Sequence, residues 1–123
     1  MADLIVVSLL APGADTIAAE AALEAGGSVI AILPLSLEQY ALRFSPEDSA
    51  RMAELLGLCD EILLPTEILA EPECYRRAGE RMLGIAEELL AVWDGLPSRG
   101  RGGTAEIVKL AQEMRIPVTR VRF

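Results

Sequence analysis

Three short stretches hold the residues best suited to chemistry. Ala11-Pro12-Gly13-Ala14-Asp15 follows one apolar run, Asp94-Gly95 follows another, and Gly100-Arg101-Gly102-Gly103-Thr104 leads into a helical segment. Glycine allows close backbone approach and positive φ. Free amides at a helix start, together with the helix dipole, favour an anion. The Gly100 to Thr104 stretch therefore has the make-up of a phosphate cradle, with Arg99 and Arg101 as charge partners and Thr104 as a hydroxyl donor. It matches neither GxGxxG nor GxxxxGK[ST], so a plain turn before a helix is the competing reading. Asp15 reads first as a helix cap and second as a ligand contact. Asp94, at a strand end, can face a cleft. Tyr40 and Phe44 stand four apart and share a face if that segment is helical, which packing alone would explain. Tyr75 and Arg76-Arg77 could line a cleft, and an exposed first helical turn accounts for them equally well.

The chain contains no histidine, which excludes a Ser-His-Asp triad, a Cys-His pair and a His-ligated metal. Cys59 and Cys74 are too few for a structural zinc site and lack a CxxC spacing. Neither a metal nor a cofactor is expected. Cys59, just before an apolar run, reads as a small buried hydrophobe.

Five apolar runs must carry these stretches: Leu4 to Leu9, Val29 to Leu33, Ile62 to Leu64, Leu89 to Trp93 and Ile116 to Val121. Each is too short for a helix core, and near-continuous apolarity marks strands covered on both faces. The fourth is the weakest strand by composition. Helical segments alternate with them. Asp15 to Ala25 has Asp15 as its cap and Gly26 as its stop. Ser45-Pro46-Glu47-Asp48 opens a helix that runs to about Leu56 and stops at Gly57. Glu71 to about Glu88 places Ala78, Met82, Ile85 and Leu89 on one stripe. Thr104 to Glu113 presents Ile107, Val108 and Leu110 to a sheet, and Pro117 then forces extension. This β-α alternation implies right-handed crossovers and an open parallel sheet with helices on both faces. Ligands of such sheets bind at the carboxyl ends of the strands.

The length of 123 residues suits one domain over 1–123, and 52% apolar with 24% charged residues is ordinary globular composition. The 19 acidic against 11 basic residues give a net charge of −8, which argues against nucleic-acid and membrane binding. Ten of the 11 basic residues are Arg, suited to specific planar contacts with carboxylate or phosphate. The N-terminal apolar stretch is short and led by Asp3, so it reads as neither signal peptide nor membrane span, and a reducing cytoplasm is expected.

Gly13-Ala-Asp-Thr-Ile-Ala-Ala-Glu-Ala-Ala-Leu23, followed by Gly26-Gly27 and Val29 to Leu33, resembles the GxDxxAHxxAL…GG run of the DNA-processing protein A Rossmann domain. Ala91-Val-Trp-Asp-Gly95, with Gly100-Arg-Gly-Gly-Thr-Ala-Glu106, resembles nucleotide-binding proteins related to the sensing domain of melastatin-type TRP channels. Leu33 to Tyr40 and Phe44 are similar to that branch as well. Both groups belong to the SLOG superfamily, which also holds the Lonely Guy phosphoribohydrolases. The resemblance implies a Rossmann-like three-layer αβα domain, with a mainly parallel sheet of about five strands that lacks the family's usual first strand. It implies a small nucleotide-derived ligand, such as ADP-ribose, NAD or a nucleoside phosphate, and a homodimer. It places the ligand between the Gly13 turn and the Gly100 to Thr104 loop. The implied binding set is Pro12, Gly13, Ala14, Asp15, Pro34, Tyr40, Asp94, Gly95, Gly100, Arg101, Gly102, Gly103 and Thr104. Binding would tighten the Asp94 to Gly103 loop as a signal. The alternative implied activity is cleavage of an N-glycosidic bond in a nucleoside monophosphate, with Glu106, named as the catalytic residue, or Asp94 stabilising the oxocarbenium-like charge or activating water. Glu106 stands one position before the phosphoribohydrolase glutamate, which falls on Ile107. The histidine of the DNA-processing motif falls on Ala19, which with the acidic charge argues against single-stranded DNA.

Overall fold

In a computed structural model the described residues are 4–92 and 104–121. They divide into two compact units, Met1–Thr66 and Glu67–Phe123. Among the described residues there are five strands and every pairing is parallel, so the chain is α/β. The expected sheet of about five strands appears instead as a three-stranded sheet in the first unit and a two-stranded sheet in the second.

The first unit is a βαβαβ run. Strand β1 (Ile5–Ser8) leads through helix α1 (Ala14–Glu24) to β2 (Ser28–Ile32). Two helices, α2 (Leu37–Ala41) and α3 (Pro46–Leu56), then lead to β3 (Glu61–Leu63). The sheet order is β1-β2-β3, with Val6 opposite Val29, Ser8 opposite Ala31 and Ala31 opposite Ile62. Parallel neighbours need a crossover between them, and the helices supply it. Helix α1 packs on β1 and β2, and α3 packs on α1. Arg51 of α3 clasps Glu20 of α1 at 3.0 Å and Glu54 at 2.8 Å. Val29, Ala31, Ile32 and Leu33 of the central strand region, Ala19 and Ala22 of α1, and Met52 and Leu55 of α3 are buried. Small residues on α1 let the helix lie close to the sheet.

Local chemistry sets the helix ends. Ser45 Oγ accepts from the Asp48 amide at 3.1 Å, and Pro46 occupies the first helical turn, as the sequence predicts. Helix α1 stops as expected at Gly26, whose φ is +79°. The Gly26 amide reaches the Leu23 carbonyl at 3.1 Å, and the Gly27 amide reaches Ala22 at 2.8 Å. This double closure satisfies carbonyls that the helix leaves free. The start of α1 differs from expectation. Gly13, not Asp15, is the cap residue, and Asp15 lies inside the first turn.

The second unit begins with helix α4 (Glu71–Ile85), continues with β4 (Leu89–Val92) and α5 (Thr104–Glu113), and ends with β5 (Val118–Val121). Strands β4 and β5 pair in parallel, with Leu89 opposite Val118. The helix expected to reach Glu88 ends three residues earlier, because Ala86 turns into extended backbone. Its buried stripe is Ala78, Gly79 and Leu83, while Ile85 is exposed and Leu89 belongs to β4. Leu83, Ile107 and Ala111 form a core on which Met82, Leu89, Leu110, Ile116 and Val118 pack. Gly79 sits against the Ile107 side chain, so the absence of a β-carbon there lets α4 and α5 approach.

Gly27 offers a direct check of the β1–β2 approach. A β-carbon there would lie 2.5 Å from the Leu4 carbonyl oxygen and 3.1 Å from that of Ala22, both rigid backbone. Gly27→Ala is expected to cost about 1–3 kcal/mol in chemical denaturation, the range for forced overpacking.

Candidate functional site

The carboxyl end of β1 opens directly into the turn before α1. Ser8, the last strand residue, is 4% exposed and is the one buried polar side chain among the described residues. Its hydroxyl accepts from the Leu10 amide at 3.0 Å and donates a longer bond to the Asp15 carbonyl at 3.4 Å. These bonds pin both sides of the turn. Leu10 is fully buried at φ +57°, a left-handed conformation that costs an L-residue about 1–2 kcal/mol. Burial of its side chain and the Ser8 bond hold it there.

Gly13 follows at φ +101° and ψ −128°, backbone that only glycine adopts freely. Its carbonyl accepts the first helical bond from the Ile17 amide at 3.0 Å, and also the Thr16 hydroxyl at 3.0 Å. The amides of Ala14, Asp15 and Thr16 precede that first bond, and no side chain caps the helix start. Pro12, Gly13 and Ala14 are exposed. The turn thus leaves the first amides and the positive end of a helix of 11 residues without a side-chain cap, next to the exposed Pro12, Gly13 and Ala14.

Asp15 stands at the same turn, half-buried. Its Oδ2 accepts from the Ala11 amide at 3.3 Å. Among the described residues no Arg or Lys pairs with it. Strands β1 and β2 contain no titratable residue, and Arg51 of α3 is committed to Glu20 and Glu54. Desolvation therefore pushes the Asp15 carboxyl above the ordinary carboxylate value, and the Ala11 bond offsets this only in part.

The other expected positions fall elsewhere. Pro34 and Tyr40 are buried, with Tyr40 1% exposed and edge-on to Phe44 at 4.9 Å between ring centres. Both belong to the core of the first unit. Asp94, Gly95, Gly100, Arg101, Gly102 and Gly103 lie outside the described residues. Thr104 is exposed at the start of α5. Glu106 is held by Arg76 Nε at 3.2 Å, and Arg76 also lies 3.9 Å from Glu80. Arg77 pairs with Glu67 at 2.8 Å. The basic pair on α4 is thus occupied with neighbouring carboxylates.

Both cysteines are free thiols. Cys59 is half-buried and donates to the Leu55 carbonyl at 3.3 Å, and burial followed by the nearby Asp60 raises its pKa. A raised thiol is a poor nucleophile. Among the described residues no cluster of three potential metal ligands occurs, and no helix is long and apolar enough to cross a membrane.

Ser8 and Leu10 were not singled out by the sequence reading. Their signal is in the sequence: a lone hydroxyl inside the apolar run Leu4 to Leu9, three positions before Ala11-Pro12-Gly13. No known family model matches the chain, and no curated protein matches it.

Because burial raises the Asp15 pKa, this carboxyl favours the folded state at low pH. The stabilising contribution is full below about pH 4, where folded and unfolded chains both hold the proton. It is lost as pH rises through the folded-state value. Asp15→Asn is therefore expected to melt at a higher temperature than the parent at pH 7, with the gap closing as pH falls towards 4. For the Arg76–Glu106 pair, which is partly exposed, a double-mutant cycle with alanine at each position should give a coupling energy below about 1 kcal/mol.

Proposed function

We propose that the β1–α1 turn binds a nucleotide or nucleotide-derived ligand of the ADP-ribose, NAD or nucleoside-phosphate kind. In this reading the uncapped amides of Ala14, Asp15 and Thr16 take an anionic group of the ligand, and the Asp15 carboxylate accepts a ribose hydroxyl. The observation that carries the proposal is the pairing of two costly features at one exposed strand end. A helix start with no side-chain cap leaves amides for another acceptor, and a half-buried carboxylate with no cation partner among the described residues leaves stability unrealised. Such costs are tolerated where a site needs them.

The wider reading follows the same line. The run β1-α1-β2-α3-β3, parallel and in sequential order, fits the mononucleotide-binding half of a Rossmann-like fold. The Gly13 to Leu23 and Gly26-Gly27 segments that resemble the SLOG superfamily lie in this run. Binding is favoured over N-glycosidic cleavage because Glu106, the catalytic residue the resemblance names for cleavage, is engaged by Arg76.

Residues 1–66 carry ten acidic and two basic side chains. Long-range attraction therefore contributes nothing to capturing an anion, and affinity must come from directed amides and hydroxyl contacts.

Titration calorimetry of the full chain against ADP-ribose, NAD and AMP tests the proposal. Heat of binding is expected with at least one. Gly13→Ala should weaken that ligand at least tenfold, about 1.4 kcal/mol. A β-carbon at Gly13 meets no neighbour, so the effect would come from backbone conformation alone. Asp15→Asn, which keeps the fold, should weaken ligands with a free ribose diol. AMP incubated with the protein should be recovered intact by chromatography. Absence of heat with all three ligands, with the protein folded, overturns the proposal.

A further inference from the structure

We draw no further inference here: the strongest candidate, the uncharged edge of β1 away from β2 with its half-exposed Leu4 and Ile5, has nothing in the structure to show what covers it.

Discussion

The first unit depends on how β1 is made to reverse into α1. Ser8 is the fixed point of that reversal: one hydroxyl serves the Leu10 amide on one side and the Asp15 carbonyl on the other. A buried hydroxyl left unbonded would cost about 1–3 kcal/mol, and these partners remove that cost. Once they are in place, Leu10 must turn left-handed and bury its side chain, and Gly13 must take up a conformation closed to other residues. The helix then starts with no side chain capping its first amides. Substituting Ser8 would disturb the site and the strand end together.

Charge limits what such a site can hold. Acidic residues dominate the first unit, and β1 and β2 contribute no charge of either sign. The carboxylate of Asp15 sits beside the amides that would hold an anion. These groups oppose each other unless the ligand brings both a negative group and a hydroxyl donor. A phosphorylated ribose brings both, which is why the two features are read as one site. An isolated phosphate would meet the carboxylate without compensation.

Much of the fold was legible where short-range chemistry decides the outcome. Ser45 with Pro46 marked the start of α3, and Gly26 marked the end of α1, because caps depend on a few adjacent residues. The five apolar runs marked the five strands to within one or two residues. The misreadings concern choices between residues of equal local fitness. Asp15 can cap a helix, yet its carboxylate turns back to Ala11, and Gly13 takes the cap position. The stripe on α4 was displaced because Gly79, invisible to a search for apolar side chains, marks the face that α5 approaches. Helix α2 is five residues long, too short for a periodic signal. Tyr40, in the ligand set by resemblance, is buried and edge-on to Phe44, the shared face that their spacing of four implies. The division of the strands into two sheets depends on pairings between distant segments, which no local pattern reports.

Backbone amide chemical shifts of the full chain, followed during titration with ADP-ribose, NAD and AMP in turn, test the central claim most directly. With at least one of them the amides of Ala14, Asp15 and Thr16 should shift furthest, more than the remainder of α1. Unmoved amides at these three positions with each of the three ligands in large excess, and with the protein folded, would contradict the account.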